Sequence, residues 1–319
     1  MARANAAYYA ERDPYADFTT SPEITQVFGE VLGLWAAVAW DAMGRPDPVL
    51  LAECGPGRGT LMADALRAIG GVAAPFRAAL RVHLVEASPR LRAQQAARVP
   101  DAAWHDALAD VPPGPLILLA NEFLDALPIR QFIRRGTGWA ERFVDDGMLV
   151  EHPAAAPDLD AAHVEEGTVM EMCEPALAAV KHVARRVARD GGAALFLDYG
   201  PAESAPGDSL QALRDGRPAS LFDDPGTADL TAHVDFAALA RAARAAGAAV
   251  HGPVPQGVFL TRLGLFQRTG RLARTQPPGR AAALVQAAQR LAEPDRMGRL
   301  FKAMAVCHPA LPCPAGFEP

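Results

Sequence analysis

Lysine is nearly missing from this chain of 319 residues: Lys181 and Lys302 are the only two. Arginine carries almost all the positive charge, and the acids outnumber it to leave a formal net charge of −6. Binding a phosphate backbone needs a concentrated surplus of Lys and Arg, so this balance argues against a nucleic-acid partner. Cysteine is also scarce. Cys54, Cys173, Cys307 and Cys313 form no C-x-x-C pair, and four in a chain of this length build no disulfide scaffold, so reduced thiols are expected. The eight histidines show no H-E-x-x-H or other ligand spacing, and no metal is expected. Long apolar runs are missing too. The opening "MARANAAYYAERDPY" has no apolar core of the kind a signal peptide needs, and no uncharged run reaches the roughly 18 residues that a membrane-spanning helix needs. The expectation is a chain with no leader and no membrane insertion, located in the cytoplasm. Half of the residues are apolar, enough for a sizeable core in one large or two modest domains.

What is present alternates. "PVLLAECGPGRGTLMADALRAIGG" is an apolar run, a glycine-rich turn and a helical pattern closed by Gly70-Gly71. "LRVHLVEASPRLRAQQAARV" repeats the theme, with a strand over Leu80 to Val85, Glu86 at its end, and Ser88-Pro89 as N-cap and first helical residue. "PLILLANEFLDAL" is a third unit, and "KHVARRVARDGGAALFLDYG" gives a helix, a Gly-Gly stop and a strand ending at Asp198. Uninterrupted apolar strands alternating with helices predict an α/β fold, a doubly wound and mostly parallel sheet covered on both faces.

Two stretches interrupt the alternation and read as insertions, at about 129–172 and 200–232. The first, "IRQFIRRGTGWAERFVDDGMLVEH", predicts antiparallel hairpins around Gly136-Thr137-Gly138 and Asp146-Gly147. The second, from Pro201 to Thr231, is rich in Gly, Pro, Ser and Asp and reads as a long functional loop. After it come a helix in "VDFAALARAARAAG", a strand in "AAVHGPV", a helix over about Ala281 to Leu291 and a last apolar run, "LFKAMAVCH".

"GPGRGT" directly after a strand and opening a helix is a context for close backbone approach to a nucleotide. A phosphate-cradling loop would need Gly-Lys-Ser/Thr, which does not occur. A dinucleotide loop would need G-x-G-x-x-G, but the glycines fall at Gly55, Gly57 and Gly59, with Thr60 where the third should stand. The spacing Glu53-x-Gly55-x-Gly57-x-Gly59 resembles motif I of class I S-adenosylmethionine-dependent methyltransferases. That cofactor offers a sulfonium, an ammonium, a carboxylate and two ribose hydroxyls, and S-adenosylhomocysteine is its product. Under this resemblance the glycines admit the ligand and Glu53 helps to hold the ammonium. Glu86, with Ala87 beside it, accepts from the ribose hydroxyls, as an acid there does in dinucleotide folds. Asp106 in "WHDAL" is placed near the adenine amino group or is a solvated strand end.

Six further segments narrow the resemblance. "DFTTSPEITQVFGE" (Asp17 to Glu30), "GPGRGTLM" (Gly55 to Met62), "LVEASPRLRAQQ" (Leu84 to Gln95), "ANEFLDALPIRQF" (Ala120 to Phe132), "LDYG" (Leu197 to Gly200) and "DLTAHVDF" (Asp229 to Phe236) resemble the MidA-like family. This group of S-adenosylmethionine-dependent methyltransferases includes a mitochondrial respiratory complex I assembly factor that methylates protein arginine. The resemblance spans about Tyr8 to Val306. It implies a methyltransferase domain over 46–319, an N-terminal helical lid over 1–45 shorter than usual in the family, and a protein substrate, with arginine the favoured acceptor and a link to respiratory complex assembly. Cys54 departs from the aliphatic residue usual there. A non-catalytic assembly chaperone that keeps the pocket is the alternative, and an NAD-linked oxidoreductase a more distant one.

"LLANEFLDALPIRQF" sets an amide and two carboxylates at the end of a buried strand, where unpaired charge is costly. In this class of fold the fourth strand ends beside the transferred methyl, so Asn121 and Glu122 are expected on the transfer path. A guanidinium is charged at any ordinary pH, and Glu122 with Asp125 would clamp it through charge-assisted bonds. Asp125 has a second reading, an ion pair with Arg130 or Arg134. His233 either accepts a proton and lines the substrate channel or is a hydrogen-bonded structural residue. Thr231 and Asp235 read as caps of the following helix. Ser21 is the expected N-cap of a helix at Ser21-Pro22-Glu23, and the resemblance adds that the segment from Thr19 through Thr20 and Ser21 to Glu23 closes over the cofactor.

Overall fold

The computed structural model describes residues 1–11, 19–155 and 164–318. Three helices lead in, α1 (Ala2–Glu11), α2 (Ser21–Ile24) and α3 (Gln26–Ala42). Then come β1 (Val49–Cys54), α4 (Thr60–Val72), α5 (Ala74–Ala79), β2 (Leu80–Val85), α6 (Pro89–Arg98), β3 (Ala103–His105) and β4 (Leu116–Asn121). The first insertion forms β5 (Arg130–Arg135), β6 (Gly138–Asp145), β7 (Met148–Ala154) and β8 (Val169–Met172). The alternation resumes with α7 (Glu174–Asp190) and β9 (Gly192–Tyr199), and the second insertion holds β10 (Gln211–Arg214), β11 (Arg217–Pro218) and β12 (Asp229–Thr231). The chain closes with α8 (Phe236–Ala245), β13 (Ala249–Pro255), α9 (Gln256–Arg262), α10 (Leu265–Ala273), α11 (Pro278–Ala292) and β14 (Phe301–Cys307).

Among the described residues, seven strands form the central sheet in the order β13-β14-β9-β4-β1-β2-β3. The neighbours from β9 to β3 are parallel, and β14 alone runs antiparallel, wedged between β9 and β13. Successive residues of a strand face opposite sides. Thus Ile117 and Leu119 of β4 enter a core layer with α3 and α4, while Leu116, Leu118 and Ala120 enter the layer with α7 and α8. Burial on both faces is why these strands read as unbroken apolar runs.

Of residues 1–45, the 17-residue α3 belongs to the core, burying Val27, Phe28, Val31, Leu32 and Trp35. Gly33 lets it approach α4 closely: a Cβ there would stand 2.7 Å from Ala65 Cα. Glu30, 1 % exposed, ties α3 to α4 and α10 through Arg67 (2.6 Å) and Arg268 (2.6 Å). Residues 12–18 of the expected lid lie outside the described residues.

The first insertion is a four-stranded antiparallel sheet, β7-β6-β5-β8, with Asp146 and Gly147 both at positive φ in the turn where a hairpin was expected. The second is less of a loop than expected, since β11-β10-β12 make a small sheet within it. Gly70-Gly71 does not stop α4, which continues to Val72 before Pro75 starts a new helix. The N-cap of α2 is Thr20, one residue before the expected Ser21. Ser88 and Asp235 cap α6 and α8 as expected. Thr231 instead sits in β12 and accepts from the Tyr199 hydroxyl at 2.6 Å.

Candidate functional site

A cavity of about 590 Å³ lies over the carboxyl ends of β1, β2 and β4. That edge is where open α/β sheets bind ligands. Gly55, Gly57 and Gly59 take φ of 62°, 55° and 78°, the left-handed region that costs glycine least. A Cβ on Gly55 would meet the Phe123 ring at 3.0 Å, closer than an ordinary contact. Thr60 donates its hydroxyl to Glu23, joining the first turn of α4 to α2, and Thr20, Pro22 and Glu23 line the cavity from above. Ser21 is fully buried but does not line it; its N–H donates to Glu122 Oε1 at 2.8 Å.

Glu53 is 3 % exposed, and its Oε2 has no hydrogen-bond partner among the described residues. Burial pushes its carboxyl up to about 8. Glu86 faces the same cavity, with Ala87 beside it. Its Oε1 accepts from the Ser88 N–H (2.8 Å) and its Oε2 from Gln95 (3.2 Å), and burial raises its pKa. Gln95, fully buried, also donates to the Gly57 carbonyl at 2.8 Å, so one amide fixes both the acid and the glycine loop. Asp106 borders the cavity, yet its carboxylate is 82 % exposed and paired with Arg92 at 2.6 Å, which favours the solvated strand end over the adenine contact.

At the end of β4, Asn121 is 7 % exposed; its Nδ2 donates to Glu122 Oε1 (2.9 Å) and its Oδ1 has no partner among the described residues. Glu122 turns the chain sharply at φ 48° and anchors to β9 through its N–H on the Leu197 carbonyl (2.8 Å). Both residues line the cavity, and burial raises the Glu122 carboxyl. Asp125 does not line it. It lies behind Glu122, and burial, followed by the charges of Asp198, Glu122 and Asp229, lifts its pKa far above the ordinary range. The clamp of two acids at the cavity therefore reduces to Glu122. Nor does Asp125 pair with an arginine of the insertion: Arg130 is held by Glu141 and Glu174, both at 2.7 Å, and Arg134 bonds the Gly138 carbonyl. His233 stands apart as well. It is exposed at a second cavity, its N–H donating to Ser209 (2.8 Å) and its ring edge-on to Tyr199.

Three contributors escaped the sequence reading. Asp198, 1 % exposed, accepts the N–H groups of Leu124 (2.9 Å) and Asp125 (3.2 Å) and so fixes the turn that carries Glu122. The acid ending the strand in "LDYG" was the available signal. From α1, Asn5 and Tyr9 line the cavity; Asn5 bonds the Ala126 and Leu230 carbonyls at 2.8 Å each, and the Tyr9 hydroxyl donates to Asp229 at 2.8 Å. Nothing in the composition of α1 marked it.

The partnerless acceptors of Glu53 and Asn121, an acid closing β2 and a loop with glycine at every second position suit a ligand with an ammonium, a ribose and a sulfonium. With the strand order and the lone antiparallel β14, they define a class I S-adenosylmethionine-dependent methyltransferase. Residues 31–254 match the family model of S-adenosyl-L-methionine-dependent methyltransferases, and the chain belongs to that family. Protein arginine methyltransferase NDUFAF7, mitochondrial, of Danio rerio is 34 % identical over 95 % of this chain and 80 % of that protein. The Homo sapiens protein of the same name is 35 % identical over 94 % of this chain and 76 % of its own length. A crystal structure from Burkholderia thailandensis bound to S-adenosyl-homocysteine is 29 % identical, superposes with a TM-score of 0.75, and is covered over 80 % of its chain by 95 % of this one. The cofactor is therefore S-adenosylmethionine. The cytoplasmic location expected from the sequence is overturned, because the curated relatives are named as mitochondrial. Among the described residues no helix is long and apolar enough to cross a membrane.

Proposed function

We propose that this methyltransferase acts on an arginine side chain of a protein, the acceptor in the names of its relatives. The observation that carries the reading is Glu122: an acid held at the cavity in a left-handed turn, with both described bonds on Oε1. Oε2 is left for a guanidinium N–H. At about 4 Å and an effective dielectric near 20 such a pair has a Coulomb term of about 4 kcal/mol, enough to orient the acceptor. The protein substrate is also the route by which a link to respiratory complex assembly would arise.

The bound cofactor supplies an electrophilic methyl on a cationic sulfur. Glu53 Oε2 would hold its ammonium, Glu86 its ribose hydroxyls, and the Gly55–Gly59 loop its backbone-facing edge. Methylation of a guanidinium nitrogen would form an N–C bond as the S–CH3 bond of the donor breaks, leaving S-adenosylhomocysteine, and would free one proton. Glu122, whose burial raises its affinity for protons, is the group placed to take it. Asp198 keeps the turn from relaxing while it does so. Glu122→Gln keeps the shape and removes the charge. Labelled-methyl transfer should fall by about 10²- to 10⁴-fold, with S-adenosylhomocysteine affinity unchanged in calorimetry. Transfer at the wild-type rate would remove Glu122 from the chemistry.

A further inference from the structure

The second cavity has no part in the chemistry above. It encloses about 580 Å³ and opens over the same carboxyl edge of the sheet, above Gly200 at the end of β9 and Lys302 at the start of β14. One turn divides the two cavities: Glu122 and Phe123 line the first, and Leu124 lines the second. Leu124, Ile129, Met172, Leu177 and Leu239 give this second cavity an apolar wall. Its charged groups are not equivalent. Glu171 already accepts from Gln131 and Ser209, and Asp235 from Ser204 and the first turn of α8. The segment leading into β14 supplies Asp295, Arg296 and Arg299, and β14 itself supplies Lys302. Arg296 pairs with Glu293 at 3.2 Å, and the Lys302 ammonium donates to the Arg299 and Leu300 carbonyls. Arg299 is exposed and makes no ion pair among the described residues, and Leu300 beside it is 48 % exposed.

Resting on the protein-acceptor reading, we propose that this cavity seats the part of the acceptor protein flanking the methylated residue. An apolar side chain packs on Leu124 and Leu177, and an acidic side chain pairs with Arg299. Extended chain advances about 3.3–3.6 Å per residue, so the neighbours of a residue held at Glu122 must rest on the adjoining surface, and Leu124 makes that surface this cavity. An apolar centre with a charged rim is the arrangement that gives a protein contact its affinity and its selectivity.

The test uses the full chain with S-adenosylhomocysteine bound, and a fluorescent peptide spanning the arginine that the wild type labels. Arg299→Glu should weaken the peptide about tenfold, about 1.4 kcal/mol, and Leu300→Asp should weaken it in the same direction. Arg299→Lys should stay close to wild type, and S-adenosylhomocysteine affinity should be equal in all four proteins. Unchanged peptide affinity in both Arg299→Glu and Leu300→Asp overturns the docking assignment and leaves the arginine reading standing. Parallel loss of peptide and S-adenosylhomocysteine affinity overturns it as well, by showing that these residues act through the fold. A wild type that labels lysine or no protein removes the arginine reading instead.

Discussion

Glu53 is the residue at which charge, burial and ligand meet. Its folded-state pKa of about 8 lies above the ordinary 4.5 of the unfolded chain, so the ligand-free fold favours its protonated form. The stability this group contributes is complete below about 4.5 and is lost as the pH rises through about 8. A cationic ammonium reverses that preference, and binding must then expel a proton. S-adenosylhomocysteine affinity should accordingly rise between about pH 6 and 7.5 by up to about tenfold per unit, and Glu53→Gln should flatten the slope. A wild-type affinity with no slope over that window would mean that Glu53 does not meet the ammonium. The neighbouring acids show how far residues can be read without a fold. Glu53, Glu86 and Glu122 were legible because each stands at the carboxyl end of an apolar strand. Asp125 follows a turn whose direction is set by Asp198, a carboxylate 73 residues further on, and no local pattern reveals which way such a turn faces. The place of His233 was hidden for a similar reason: the return of the second insertion carries it past the end of β9, to the cavity that Leu124 lines.

At the scale of elements, packing decides what local propensity leaves open. Gly33 and Gly70 both sit in helices, and alanine would favour either helix by up to about 1 kcal/mol. A Cβ at Gly33 would stand 2.7 Å from backbone atoms of Ala65, and such overpacking costs about 1–3 kcal/mol, more than propensity returns. At Gly70 nothing lies within 4 Å. Chemical denaturation should therefore show Gly33→Ala destabilised and Gly70→Ala stabilised; a stabilised Gly33→Ala would mean that α3 and α4 are not pressed together there. The strands β1, β2, β4 and β9 were plain in the sequence because both their faces are buried. The sheet β11-β10-β12 was not, since its strands are two to four residues long and sit among Gly, Pro and Asp. Gly70-Gly71 misled for an energetic reason: glycine weakens a helix but does not break it, and the break waits for Ala73 and Pro75.

For the whole molecule, one sheet edge carries two neighbouring cavities, one lined by Glu53, Glu86 and Glu122 and the other walled by Leu124 and rimmed by Arg299. The first accounts for a methyl donor and the second for the flank of a large acceptor. α1 ties both insertion and cofactor wall together through Asn5 and Tyr9, which is why the second insertion belongs to the site and not to its surroundings. The central claim is that this edge delivers a methyl group to a guanidinium nitrogen. Its most direct test is mass spectrometry of cell extract incubated with isotopically labelled S-adenosylmethionine and the purified chain, beside Glu122→Gln. The account predicts labelled methyl on arginine nitrogen in a small set of proteins with the wild type, and labelling lower by about 10²- to 10⁴-fold with the variant. Label on lysine or carboxylate side chains, or equal labelling by both proteins, would contradict it.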